Sequence, residues 1–243
     1  HWWDWLPFSA KRFLSDVSSK FDQKILLNRR LAKLLSGATL VGNYRMVNYF
    51  RWIKRTDLRK LFSSEFRSTI NNEDADTTMI EFLDNLPSKT TKLERMLALE
   101  QQYFLADLNL LYTDKMSMAA GVEVRVPFLD KELVEFAHNI PDHLKQNGRH
   151  GKWILKKALE NNLPKDIIYR PKTGFGVPLR SWMRNELREL IGDILSTPNI
   201  KNRGIFDPSA VQKLISDNNT GKIDASYTLL SLLCMEIWFK EFL

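Results

Sequence analysis

Apolar residues recur three and four positions apart along most of this chain. Phe13, Val17, Phe21 and Ile25, followed by Leu31, Leu34 and Leu35, predict helix over residues 11–36, with Gly37 as its stop. Tyr44, Val47, Phe50 and Ile53 predict a second, shorter helix. A third, capped by Asp57, turns Leu58, Leu61, Phe62 and Phe66 inward. After a polar, acidic connector at 71–76, residues 77–86 predict a helix that ends before Pro87. Thr91 and Glu94 have the spacing of a capping box and open a long apolar stretch. Its expected buried face is Leu93, Met96, Leu97, Tyr103, Phe104 and residues 108–111. Further helices are expected at 131–138, 153–162 and 182–195, behind an Asp207–Pro208 N-cap, and at 224–242 as an apolar closing helix that packs centrally. No succession of strands emerges, so the fold class is mainly α.

Two stretches break this regularity. Residues 114–130 set Asp114, Lys115, Glu123, Arg125 and Asp130 among small and apolar neighbours. Gly121 and Pro127 prevent one uninterrupted helix there. The Val-Glu-Val-Arg-Val run alternates, which puts Glu123 and Arg125 on one side of an extended backbone with valines opposite. Such a segment suits the wall of a cleft, or a buried or rim ion-pair network that only fixes packing. The second stretch is Arg170-Pro171-Lys172-Thr173-Gly174-Phe175-Gly176-Val177-Pro178. Its two prolines and two glycines exclude regular structure and give an exposed loop. A loop of this kind can present Lys172 to a phosphate, Gly174 letting the backbone approach closely; the plainer reading is a surface turn with an incidental lysine.

Composition places the 243 residues, 44% hydrophobic and 27% charged, among ordinary soluble globular proteins. The net charge of +7 is unevenly spread: residues 1–70 carry 14 Lys/Arg against 5 Asp/Glu, leaving 22 against 24 in the rest. This basic segment could face nucleic acid, anionic lipid or an acidic partner domain, but a set of solvated helix faces is the plainer reading, and its aromatics fall at core spacing, which makes nucleic acid the weaker partner. Cys234 excludes an internal disulfide and, amid Leu232, Leu233, Met235 and Ile237, reads as a buried small hydrophobe in a reducing, cytoplasmic setting. No apolar run is long enough to span a bilayer. His138, His143 and His150 lack zinc-ligand spacing, Asp74-Ala75-Asp76 lacks the rest of a calcium loop, and Gly148–Lys152 is not a Walker sequence, so no metal is expected. His1-Trp2-Trp3-Asp4-Trp5 has neither a leader's basic region nor a Met, and the expectation is a piece of a longer polypeptide.

Taken together and in order, the two unusual stretches resemble the glutamine-hydrolysing asparagine synthetases. The resemblance rests on Asp114-Lys115-Met116-Ser117-Met118-Ala119, Glu123-Val124-Arg125-Val126-Pro127-Phe128-Leu129-Asp130, and Arg170-Pro171-Lys172-Thr173-Gly174-Phe175. Pro178, Trp182, Leu163-Pro164, Val134–Ala137 and Ile140-Pro141 fill in matching spacing, and the likeness is clearest over 95–185. It implies a glutaminase domain joined to an ATP-pyrophosphatase-type α/β synthetase domain of the adenine-nucleotide α-hydrolase-like kind. This chain, 1–243, would be the helical C-terminal part of that domain, with 1–70 its basic segment. The implied chemistry is adenylation of the aspartate side-chain carboxylate by ATP, then displacement of AMP by ammonia from glutamine. Lys172 takes the role of pyrophosphate and transition-state stabilisation. Glu123 and Arg125 line the acyl-adenylate pocket, with Asp114, Lys115, Arg170 and Gly174 in support.

The departures define what to expect. Lys115 stands where the family has Arg, losing a planar bidentate donor, and Ala106 where it often has Pro. The Ser-Gly-Gly-x-Asp-Ser nucleotide loop, the Gly-x-Gly-x-Asp-Glu magnesium segment and the N-terminal Cys do not occur in these residues. The upstream nucleotide-binding and glutaminase parts are therefore expected partners, ATP and Mg2+ are cofactors of the full-length parent only, and the fragment alone should be inactive. A homodimer stays open. So do amidation or cyclisation of another carboxylate, and a non-catalytic helical module that binds nucleic acid or a partner.

Overall fold

Helices dominate the protein in a computed structural model that describes residues 5–19, 25–70, 76–171 and 176–243. The chain divides into two compact units, one built from 1–81 and 176–243, the other from 82–175. Its mainly α character is as the periodicity predicts, although the elements are shorter and more numerous than expected.

In the first unit, α1 (Phe8–Ser19) and α2 (Leu26–Ser36) replace the single helix expected over 11–36, and Phe21 lies outside the described residues. Gly37 does end α2. A Cβ there would sit 3.2 Å from the Tyr49 hydroxyl, so glycine lets the chain turn tightly against α3 (Gly42–Asn48). α4 (Arg55–Leu61) starts two residues before Asp57, which therefore sits in its first turn, where it takes an ion pair from Lys60 at 2.8 Å, and is not the cap. Lys54 stands at the α4 N-cap without a side-chain cap bond, whereas Ser63, not singled out by the sequence pattern, caps α5 (Ser64–Thr69) by accepting from Phe66 N.

Residues 61–63 then pair with the far end of the chain. Asp207 N donates to Leu61 O at 2.8 Å and Ser63 N to Ile205 O at 2.9 Å. Phe62 and Phe206 stack with ring centres 5.5 Å apart. Phe62 and Phe66 are thus packing residues, as their spacing predicts, whereas Phe13 and Tyr44, expected in the core, are exposed.

The second unit carries the two unusual stretches. After α6 (Thr77–Asp84), which crosses from one unit to the other, the Thr91–Glu94 capping box forms in both directions, at 3.1 and 2.8 Å, and opens α7 (Lys92–Leu99). Residues 100–110 continue it with wider, π-type winding, Leu111 N reaching back five residues to Ala106 O, and α8 (Leu111–Ala119) completes the rod. Of this rod's apolar residues only Leu99 is fully buried. Leu97, Phe104, Leu108 and Leu111, expected in the core, are exposed, because no second layer of this unit covers them.

Next come α9 (Lys131–Asn139), α10 (Asp142–Lys145), the two-residue strands β1 (Gln146–Asn147) and β2 (His150–Gly151), α11 (Trp153–Ala158) and α12 (Lys165–Ile168). The Gly148 region is therefore a hairpin turn and no phosphate loop, and α11 stops four residues short of the expected end.

Beyond residue 175 the chain belongs to the first unit again. The core of that unit gathers Leu61, Leu179, Met183, Ile191, Leu195, Ile200, Phe206, Val211, Leu229, Leu232 and Leu233. The expected helix over 182–195 is α13 (Leu179–Trp182) and α14 (Arg188–Ile194) separated by a turn. α15 (Thr197–Arg203) follows, and Asp207 caps α16 (Pro208–Asn219) by accepting from Ala210 N at 2.8 Å.

The closing helix α17 (Ser226–Phe242) buries the stripe Leu229, Leu232, Leu233 and Glu236 at helical spacing. Cys234 lies off that stripe and is exposed, which corrects its reading as a buried hydrophobe: an apolar neighbourhood in sequence spreads around the whole helix, and only one side of it meets the core. Glu236 falls on the stripe, and Arg203 reaches it with Nε 3.4 Å from Oε2 while lying over the Phe239 ring.

Candidate functional site

Residues 122–126 run without helix or sheet between α8 and a 3-10 turn at Pro127–Leu129, as Gly121 and Pro127 dictate. Gly121, at φ +69°, ends the helix in the left-handed region, and Val122 N closes back onto Ser117 O at 2.9 Å. Beyond the turn, Asp130 Oδ1 accepts from Leu133 N at 3.0 Å and starts α9, so the segment hangs between two fixed helix ends. Within it Glu123 and Arg125 fall on the same side, as alternation requires, with Arg125 Nη2 2.6 Å from Glu123 Oε1. Both side chains are open to solvent, 68% and 85% exposed, so this pair is not a buried packing network. Val122, Val124 and Val126, expected to pack opposite, are exposed too, at 55%, 45% and 45%.

Asp114 and Lys115 project from α8 and are exposed. Among the described residues neither forms an ion pair with Glu123 or Arg125, whose one charged partner is the other. Arg170 is exposed at the base of the loop. Lys172 and Gly174 lie outside the described residues, so their expected roles carry forward as proposals only. On the far side of the loop the chain re-enters the first unit's core through Leu179 and Met183.

The base of the loop holds a cluster that the motifs do not include. Tyr169, which follows α12 and precedes Arg170, donates its hydroxyl to Glu160 Oε1 at 2.5 Å. The same oxygen accepts from Lys157 Nζ at 2.8 Å. Lys157 and then Tyr169 hold the Glu160 carboxyl below its ordinary range, while the Glu160 carboxylate holds the Tyr169 phenol above its own. The signal in the sequence is the Lys157–Glu160 spacing of three within the stretch expected to be helical, although Glu160 lies in the turn after α11, and the tyrosine beside the Arg-Pro-Lys run.

Electrostatics elsewhere is structural. Lys33 donates to the backbone oxygens of Asn48 and Arg51; burial, then the Arg51 charge, pushes its ammonium down. Asp76, at the end of the acidic connector, is buried in an ion pair with Arg51 in place of the metal considered for that segment; Asp74 lies outside the described residues. His138 meets Gln101 at 3.0 Å and His150 lies against Trp153 and Tyr169. Among the described residues no group of three or more His, Cys, Asp or Glu side chains is placed to hold a metal ion. Nor, among the described residues, is any helix long and apolar enough to cross a membrane.

A family model described as asparagine synthase matches residues 2–240, nearly the whole chain. The chain belongs to the asparagine synthase family. Among its curated relatives is asparagine synthetase [glutamine-hydrolyzing] 1 of Bacillus subtilis (strain 168), 37% identical over 129 residues, covering 53% of this chain and 20% of that protein. Asparagine synthetase [glutamine-hydrolyzing] of Gallus gallus is 30% identical over 194 residues, covering 75% and 33%. A protein named amidase chry2, from Gibberella zeae (strain PH-1), is 27% identical over 161 residues, covering 61% and 24%. The matches thus span a fifth to a third of the length of these relatives. No solved structure matches the chain. The family assignment and the mainly α fold agree with what the two motifs imply.

Proposed function

We propose that these residues are the helical C-terminal part of an ATP-dependent asparagine synthetase and supply one wall of its aspartyl-adenylate site. The observation that carries this reading is the solvent-open Glu123–Arg125 pair on an extended segment clamped between two helices, in a chain of this family. An ion pair that fixed the packing of an interior would be buried. This one is displayed, with three uncovered valines beside it, as a wall is before its other side is added.

In the proposed reaction the aspartate side-chain carboxylate attacks the α-phosphorus of ATP and pyrophosphate leaves. Ammonia derived from glutamine then attacks the acyl carbon and AMP leaves. Two anions must approach in the first step, so cations at the site lower its barrier, and Lys172 is assigned to the departing pyrophosphate. Glu123 takes the proton that ammonia sheds as it attacks, and Arg125 holds Glu123 in place. Arg170, Lys115 and Asp114 shape the surroundings, and Gly174 allows close approach of the loop backbone. ATP with its Mg2+, and the glutaminase that makes ammonia, belong to upstream parts of the polypeptide.

Replacing Lys172 with Ala in the full-length protein should abolish pyrophosphate release while sparing glutamine hydrolysis. Near-normal asparagine formation would remove Lys172 from this role. The 243-residue chain alone, mixed with ATP, aspartate and ammonia, should release no pyrophosphate, and clear turnover would sink the half-site reading.

A second reading keeps the chemistry and changes the acceptor to a different carboxylate. The likeness to a protein named an amidase favours it. Pyrophosphate release screened across carboxylates, aspartate included, separates the two.

A further inference from the structure

We propose that Tyr169 and Glu160 are positioning residues that lock the stem from which Arg170 and Pro171 lead into the Lys172 loop. The inference rests on the assignment of Lys172 above and adds the device that aims it.

Tyr169 is held from several directions. Its backbone N donates to Lys165 O at 2.9 Å, closing the single turn of α12. Its hydroxyl donates to Glu160 Oε1 at 2.5 Å, and Lys157 Nζ, 2.8 Å from the same oxygen, fixes the carboxylate from the α11 side. Lys156 Nζ lies 5.5 Å from the centre of the Tyr169 ring, and the ring of His150, on β2, meets it edge-on at 6.3 Å. Lys157 in turn lies over Trp153 at 4.9 Å. The helix, the hairpin and the turn after the helix therefore all converge on one side chain.

The bond has a defined polarity. With the carboxyl held down and the phenol held up, the proton stays on Tyr169 and the charge on Glu160, giving a charge-assisted hydrogen bond, roughly twice as strong as a neutral one. The two residues after Tyr169 transmit this fixity. Pro171 locks its own φ and restricts Arg170 before it, so little backbone freedom separates the clamp from the loop. Lys172 is three residues from Tyr169, within about 10 Å even if fully extended. A stem displaced by about 1 Å can cost on the order of 100-fold in a reaction that depends on placement. Simple cohesion of the unit does not require this arrangement, since the ring packs against Lys156 and His150 with or without its hydroxyl.

The test uses the full-length protein with Tyr169→Phe, Glu160→Gln, the double variant, and Lys172→Ala as reference, reading pyrophosphate release with ATP, aspartate and ammonia. Tyr169→Phe keeps the ring and Glu160→Gln keeps an acceptor, so both should fold, as thermal unfolding would verify. Expected is a fall in kcat of roughly 10- to 100-fold in each single variant, with KM for ATP and aspartate nearly unchanged. Tyr169→Phe removes the bond and Glu160→Gln strips it of its charge assistance, so the double variant should be no worse than the more impaired single one. Wild-type kcat in Tyr169→Phe and Glu160→Gln, beside an inactive Lys172→Ala, overturns the positioning role and leaves the Lys172 assignment standing. Losses that track a lowered Tm, or that add in the double variant, mark a merely structural cluster and also overturn it. An active Lys172→Ala overturns the Lys172 assignment itself, and with it the clamp's purpose.

Discussion

Glu123 and Arg125, two residues apart on an extended segment, meet at 2.6 Å between Oε1 and Nη2 while both remain open to solvent. An exposed pair of this kind contributes little to folding. Glu123→Gln and Arg125→Lys should therefore each leave the stability of the full-length protein within about 0.5 kcal/mol. Asparagine formation should nevertheless fall, more steeply for Glu123→Gln if that carboxylate handles a proton, by roughly 100-fold or more. Denaturant unfolding beside steady-state kinetics checks both halves. Loss of stability with retained activity would turn the pair into a structural one.

Arg203 and Glu236 show the opposite balance. Glu236 is 5% exposed, its Oε1 has no partner among the described residues, and Arg203 is its one cation there. Removing Arg203 leaves a buried charge uncompensated, so Arg203→Ala should cost on the order of 3 kcal/mol. Replacing both residues together, Arg203→Met with Glu236→Leu, should restore most of that loss, since apolar side chains suit the stripe of Leu229, Leu232 and Leu233. Urea midpoints for the three variants decide it; a double variant as unstable as Arg203→Ala would contradict the account.

Acid should act on the first unit through Asp224 and Asp207. Burial pushes the Asp224 carboxyl up, but Arg180, donating from Nε at 2.5 Å, more than reverses this, and the net shift is downward. The Ser209 hydroxyl, then Ala210 N, holds Asp207 down at the cap of α16. A carboxyl whose folded pKa lies below its unfolded value, about 3.9, stabilises the protein above that value. Its contribution is lost as pH falls through the folded pKa. Stability should therefore be level near neutrality and drop below about pH 5, and Asp224→Asn should make the drop shallower. Urea unfolding from pH 7 to pH 3 measures the slope; an unchanged slope in Asp224→Asn would remove Asp224 from it.

The features legible in the sequence are local. The Thr91–Glu94 box, the Asp207–Pro208 cap, the Gly37 stop and the alternation of Glu123 with Arg125 involve only neighbours, and each forms as its spacing predicts. The pairing of residues 61–63 with 204–207, the Arg51–Asp76 bond and the Arg203–Glu236 bond join distant positions, and no periodicity encodes them. Cys234 is misplaced by its sequence neighbours because α17 is apolar nearly all round, so its composition does not tell the buried side from the exposed one. The long helix misleads differently. Its apolar face is real, but Leu97, Phe104, Leu108 and Leu111 have no layer against them in their unit. At the site, the motif residues can be named from sequence, while the Tyr169–Glu160 clamp needs coordinates because its partners lie nine residues apart across a turn.

Those uncovered side chains give the last prediction. Val122, Val124 and Val126 present a β-branched row beside Glu123 and Arg125, and Phe128 and Phe136 are exposed in the same unit. Apolar area left in water at this density invites association, and the proposed partner is the nucleotide-binding part of the same polypeptide. The 243-residue chain on its own should bind a hydrophobic dye such as ANS, and Val122→Thr with Val126→Thr should weaken that binding without unfolding the chain. In the full-length protein the same two substitutions should instead cost stability, roughly 1–2 kcal/mol at each position, because there the valines are buried. Comparing the variants in both contexts locates the surface: equal and negligible costs in each would mean that the valines face solvent in the full-length protein as well, and that the wall closes on something else.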